Sequence, residues 1–294
     1  MTNAATTAWS LRDEAGIISL GGMIVNRLGF GAMRNTGPGV WGDPEDVGAA
    51  KTLLQRAVEL GVNFIDTADA YGPETNEQLI AAALSPYPDD LVIGTKGGLL
   101  RTGPGEWTPD GRPEHLREAC DGSLLRLGLD QIDLYQLHTP DPDVPFAESV
   151  GALAELQAAG KIRHVGLCNV MVEQLAQARK IVDVVSVQNR YGVGERYNEG
   201  VLAACEESGI AFIPWFPLQA GVMAKPGGPL AEVAHAANVE PAQVAIAWLL
   251  QHSPATLPIP GTSSIDHLDE NIVGAAIYLT ETEVAALDQI AAPS

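Results

Sequence analysis

Short runs of apolar and β-branched residues alternate along this chain with longer stretches of helical period. The strand-like runs fall at 27–33, 63–66, 91–96, 132–138, 164–169, 184–188, 211–216 and 256–260, each of strand length and bounded by turn residues or a polar terminus. Between the first two, Asp43 and Pro44 read as the cap and first turn of a helix whose apolar face is Val47, Ala50, Leu54, Ala57 and Val58 and whose stop is Gly61. Helical spacing recurs at 75–84, 113–127, 147–159, 171–181 and 198–208, 230–251 forms one or two more helices, and Ile265, Leu268 and Ile272 mark the eighth.

Eight strands alternating with helices predict a closed (β/α)8 TIM barrel. The rival is an open doubly wound sheet, which would carry a GxGxxG fingerprint after its first strand. Leu28-Gly29-Phe30-Gly31 does not supply one. Two β-like runs around Gly21-Gly22 predict an N-terminal hairpin that plugs one end of the barrel. The spacing of Thr280 and Glu283 is that of a capping box, so an extra C-terminal helix follows the eighth. No linker or repeat divides the chain, so residues 1–294 are read as one domain, with residues 1 to about 15 as a flexible lead-in.

Composition narrows the partners. With 37 acidic against 17 basic residues among 294, the formal charge of -20 repels nucleic acid and anionic membranes. A phosphate-bearing ligand would need local backbone N–H groups and a few cations working against that field. Cys120, Cys168 and Cys205 form no CxxC pair and no metal-ligand spacing with histidines, which predicts a reduced, cytoplasmic, metal-free protein. No apolar run approaches bilayer-spanning length.

In a barrel of this kind chemistry belongs at the C-terminal strand ends. The second strand ends in Asp66, with Tyr71 close behind; the third ends in Lys96 and the fourth in His138. Each has an ordinary structural role open to it, as turn residue, loop packing, barrel ion pair or buried histidine. Their shared position on neighbouring strands makes convergence the better reading. A phenol titrates near 10, and an adjacent ammonium is expected to lower that by ~1 to 3 units. Asp66 would hold Lys96 charged, and His138 would hydrogen-bond a substrate oxygen or share the proton with Tyr71. Such a set can protonate a carbonyl oxygen while another group gives the carbon a hydride.

The segments NRLGFG, GVNFIDTADAYG, VIGTKGG, DLYQLH, GKIRHVGLCNV, SVQNRY and IPGTSSIDHLDEN together resemble the aldo-keto reductase family, and the resemblance spans essentially the whole chain. It implies a barrel that binds a nicotinamide cofactor without a Rossmann fingerprint and reduces aldehydes or ketones with NADPH, NADH not being excluded. Matched position by position, Tyr71 is the proton donor, Asp66 and Lys96 its tuning pair, and His138 the substrate-orienting residue. Asn169 and Gln188 match the residues that bind the nicotinamide amide, Trp215 the ring that stacks on it, and Cys168 a position where serine is common. Leu218 and Gly221 match a loop over the cofactor diphosphate, short here. Gly261, Thr262 and Ser263 match the segment around the adenosine 2'-phosphate, and His267, Glu270 and Asn271 its adenine end. Gly261 and His267 stand where many relatives have a lysine and an arginine.

GAMRNTGPGVWGDPED, ALSPYPDDLVIGTK and IPWFPL are similar to the pyridoxal reductase branch of the family. That similarity implies an aromatic aldehyde substrate with Trp41, Trp107 and Phe216 as pocket walls. The alternative function is a catalytically weak, nicotinamide-binding redox sensor or regulatory subunit on the same fold.

Overall fold

The computed structural model describes residues 9–215 and 229–290. The chain opens with a short helix, α1 (Leu11–Ala15), whose Leu11 and Ala15 are buried. Within the stretch expected as a lead-in, those two side chains join an apolar cluster with the helices behind them. Strands β1 (Ile17–Leu20) and β2 (Met23–Asn26) pair antiparallel. Gly21 and Gly22 turn the hairpin at φ of 61° and 101°, a region that glycine enters without a Cβ penalty.

The barrel wall begins with β3 (Phe30–Gly31) and β4 (Phe64–Asp66) and continues through β5 (Val92–Gly97). A side excursion follows, in which β6 (Leu99–Leu100) and β7 (Thr108–Pro109) pair antiparallel. The wall resumes with β8 (Ile132–Leu137), β9 (Ile162–Cys168), β10 (Val184–Arg190) and β11 (Ala211–Trp215). These seven strands are hydrogen-bonded in the order β11-β10-β9-β8-β5-β4-β3, all parallel.

The run at 256–260, expected as an eighth strand, forms only an isolated bridge from Thr256 to Phe212. Pro258 and Pro260 have no N–H to donate, which removes alternate rungs of a ladder. The segment still closes the barrel. Phe212 N–H donates to the Ala255 carbonyl and Leu257 N–H to Phe212, both at 2.8 Å, while Gly29 N–H donates to Pro258 at 2.9 Å from the other edge. Inside, Phe64, Val92, Leu134, Ile213 and Leu257 pack with Leu20 and Val25 of the hairpin, so the hairpin does plug one end.

Helices cover the outside. The first of them, α2 (Val47–Glu59), is capped by Asp46, whose carboxylate accepts from Ala49 N–H; Asp43-Pro44 is not its start. Both aspartates offer cap chemistry, and the one followed directly by the apolar face prevails. Next come α3 (Thr75–Leu84), α4 (Pro113–Leu127), α5 (Phe146–Ala158), α6 (Val172–Ala178) and α7 (Glu199–Ser208). The 230–251 stretch divides into α8 (Pro229–Ala237) and α9 (Pro241–His252), with Asn238 at φ 53° between them and Pro241 opening the second. Last are α10 (Ile265–Val273) and α11 (Glu281–Asp288), the latter with the expected capping box between Thr280 and Glu283. No helix among the described residues is long and apolar enough to cross a membrane.

Candidate active site

Parallel strands end together, and the residues at those ends line a cavity of about 720 Å³. Asp66 is the last residue of β4 and Lys96 the fifth of β5, and both are buried. Lys96 Nζ donates to Asp66 Oδ2 at 2.6 Å, to the Thr67 carbonyl at 2.7 Å and to the Tyr71 hydroxyl at 3.3 Å. All three ammonium hydrogens therefore have a partner, which is what permits the charge to be buried. The other carboxylate oxygen of Asp66 accepts from Gln136 Nε2 at 3.0 Å and Gln188 Nε2 at 2.9 Å.

His138 follows β8 directly, and its ring stands edge-on to that of Tyr71, with centroids 5.7 Å apart. Trp107, from the β6–β7 excursion, completes an aromatic triangle at 6.3 Å from each ring. The four residues singled out by their strand-end positions thus converge.

Electrostatics departs from expectation at Tyr71. Burial pushes the phenol up to about 12, with Lys96 pulling it down and Asp66 pushing it up. The lowering expected from Lys96 is real in sign but is outweighed, because a fully buried phenolate loses more hydration than one ammonium returns. At Lys96, burial works against the charge; Asp66, Tyr71 and Cys168 more than offset it, and the ammonium is held above its usual range. Burial drives His138 well below the ordinary histidine value, helped by the positive charges of Lys96 and Arg101. The imidazole is thus neutral. Burial also raises the Cys168 thiol, leaving it protonated, with Sγ 3.7 Å from Gln136 Oε1.

Asn169, just past β9, adopts φ of 57°, a conformation that asparagine tolerates better than most residues. Its amide donates to the His138 carbonyl at 3.0 Å and accepts from Trp215 Nε1 at 3.0 Å. Those bonds link the fourth, fifth and seventh predicted strand ends, and Asn169, Gln188, Cys168 and Trp215 all line the cavity. Gly31, Gly261 and Asn271 line its far end. A Cβ on Gly31 would lie 2.7 Å from the Ile259 carbonyl oxygen, so glycine there lets the two backbones meet.

Thr262 is buried and its hydroxyl accepts from Ser264 N–H at 3.0 Å; Ser264 caps α10 by accepting from His267 N–H. Ser263 and His267 are exposed near this helix start, and Glu270 gives its carbonyl to Gln243. Trp107 lines the cavity, whereas Trp41 does not: it bridges to Gly72 and stands behind the wall. Phe216, Leu218 and Gly221 lie outside the described residues. No group of His, Cys, Asp and Glu among the described residues has the geometry of a metal site.

Three contributors escaped the sequence reading. Gln136 sits within an apolar strand and gave no signal beyond being polar there. Arg101 reaches the site only through the folding of its loop. Arg34 lines the far end of the cavity, where its Cγ lies 3.6 Å from the place a Cβ on Gly261 would occupy. It is the sole Lys or Arg among the described lining residues, and among the described residues no hydrogen bond or ion pair engages its side chain.

Asp66, Lys96 and Tyr71 thus form a buried chain of bonds beside a neutral histidine at the C-terminal mouth of the barrel. The chain belongs to the aldo/keto reductase family, whose pattern it matches over residues 27–292. It is 49% identical over 289 residues to an oxidoreductase of Schizosaccharomyces pombe described as uncharacterized, an alignment covering 98% of this chain and 94% of that one. Pyridoxine 4-dehydrogenase of Escherichia coli is 44% identical over 278 residues, 92% of this chain and 97% of that protein. Among solved structures, a thermostable aldo-keto reductase crystallised with the inhibitor epalrestat superposes with a TM-score of 0.82 at 29% identity, covering 93% of this chain and 99% of that one.

Proposed function

We propose that this protein is an NADPH-dependent reductase of aromatic aldehydes, pyridoxal-like compounds among them, with Tyr71 as proton donor. The observation that carries this reading is the Lys96 bond to both Asp66 and the Tyr71 hydroxyl, two groups that line a cavity continuing to Gly31, Arg34 and Gly261. The cavity fits a dinucleotide. Its near end offers an indole plate in Trp215 and the amides of Asn169 and Gln188; its far end offers a glycine-lined floor at Gly31 and Gly261 with the Asn271 side of α10, and the start of that helix, which favours phosphate, follows Gly261 by four residues.

When bound, the reduced nicotinamide supplies the hydride to the carbonyl carbon. The residues of this chain do the rest. The Tyr71 hydroxyl gives the carbonyl oxygen its proton, and the Lys96 ammonium compensates the phenolate that remains. Neutral His138 orients the substrate oxygen beside that hydroxyl. Trp215, held by its bond to Asn169, fixes the plane of the nicotinamide. Arg34 takes over the 2'-phosphate charge from the lysine and arginine that Gly261 and His267 replace, which favours NADPH over NADH. The similarity to a relative named pyridoxine 4-dehydrogenase and the aromatic triangle of Tyr71, Trp107 and His138 support a flat, aromatic carbonyl substrate.

The test is oxidation of NADPH and of NADH by the purified protein across a panel of aldehydes and ketones that includes pyridoxal. Turnover of aromatic aldehydes with NADPH is the expected result. Tight cofactor binding without turnover of any carbonyl would overturn the reading in favour of a sensor.

A further inference from the structure

The side chain that ties the cavity wall together is Arg101, immediately after β6. Its guanidinium has five N–H groups, and each one meets a backbone carbonyl. Nε donates to Glu106 at 2.7 Å; Nη1 donates to Val40 at 2.9 Å and Ala70 at 2.8 Å; Nη2 donates to Gly39 at 2.8 Å and Gly103 at 3.3 Å. Those carbonyls belong to three loops: the one leaving β3, the one leaving β4 at the residue before Tyr71, and Arg101's own. No described ion pair involves it, so in a chain of charge -20 this cation is committed to backbone dipoles.

The flat face of the guanidinium is also in use. Its carbon lies 3.6 Å from the Trp107 ring centroid and 5.7 Å from that of Trp41. Trp107 is 37% exposed and would have several rotamers open to it on an unsupported loop. Stacking on a guanidinium that is itself fixed by five bonds holds the indole edge-on to Tyr71 and His138. A lysine at this position could not do the same, having three donors on a point charge and no plane to stack.

We propose that Arg101 is a positioning residue that fixes Trp107 as the substrate-facing wall and so makes the site selective for flat aromatic carbonyl compounds over small aliphatic ones. This rests on the carbonyl-reductase reading. Arg101 also anchors the residue before the proton donor, so its loss slows every substrate to some extent. Selectivity is therefore read as the ratio of kcat/KM for an aromatic aldehyde to that for an aliphatic one, in which a common loss cancels.

The experiment measures that ratio, with pyridine-4-carbaldehyde and butanal as probes, in the wild type, Arg101→Lys, Trp107→Ala and the double variant. Direct NADPH binding reports whether each is folded. The ratio is expected to fall roughly 10-fold in each single variant, chiefly through the aromatic KM, and to fall no further in the double variant, because the two side chains act as one unit. An unchanged ratio in Arg101→Lys, or independent losses that multiply in the double variant, would overturn the proposal. Should Arg101→Lys not fold, an unchanged ratio in Trp107→Ala does the same. A wild type that binds NADPH but reduces neither aldehyde instead overturns the reading beneath it.

Discussion

Asp66 and Gln188 reach the cavity floor from β4 and β10, with Lys96 of β5 buried against Asp66, whereas Val40, Trp107 and Pro109 form its wall from loops and the β6–β7 excursion. The floor is held by side chain to side chain bonds between groups that are almost fully buried. The wall is held by one guanidinium bonded to backbone carbonyls. The difference separates two requirements. A proton donor must be placed to a fraction of an ångström, and rigid strands with fully partnered charges do that. A wall that sets substrate shape can be carried by loops, provided something pins them.

Lys96→Met breaks the floor and carries the largest effect. It leaves Asp66 buried without its cation, so stability should fall by about 3–5 kcal/mol, and carbonyl reduction should fall on the order of 10³-fold with the relay gone. Denaturant titration and steady-state rates check the two. Adding Asp66→Asn should return part of the stability, since the lone charge is then removed, while activity stays lost. Recovery of activity in the double variant would show that the relay is not what the floor provides.

A pH titration sharpens the comparison next. The Tyr71 proton is bound below a pKa near 12 and His138 is already neutral at ordinary pH. Reduction, which uses the protonated phenol, should therefore be flat from about pH 6 to about pH 9. Oxidation of the corresponding alcohol uses the phenolate and should rise about 10-fold per pH unit over that range. A bell-shaped reduction profile centred near neutrality would assign the proton to another group.

The smallest effect belongs to the exposed far end. Arg34→Gln should weaken NADPH binding by roughly 2- to 5-fold, the size of one partly screened charge contact, and leave NADH binding nearly unchanged, as measured by tryptophan quenching. Equal weakening of both cofactors would place Arg34 on the diphosphate instead.

The floor was legible in the sequence because each of Asp66, Lys96 and His138 interrupts an apolar run of strand length, and strand ends in a barrel have a known direction. Gln136 shows the limit: a polar residue inside such a run is visible, but not that it will face Asp66. The wall was not legible. Arg101 is separated in sequence by some 30 to 60 residues from the carbonyls of Ala70, Val40 and Gly39, and no local pattern announces that they meet. The same blindness misplaced Trp41, which the sequence puts beside Trp107 in kind but not in position. Prolines in the closing segment made a strand-like run into a single bridge. The direction of the Tyr71 shift failed for a further reason: the partner ammonium could be inferred, whereas the depth of burial that outweighs it could not.

Tyr71→Phe tests the central claim most directly, because it removes one oxygen from the floor and leaves the wall in place. NADPH binding by tryptophan quenching and single-turnover reduction of pyridine-4-carbaldehyde should be measured on the same preparation. The account predicts cofactor affinity close to that of the wild type and a reduction rate lower by on the order of 10³-fold. Reduction at the wild-type rate would contradict it.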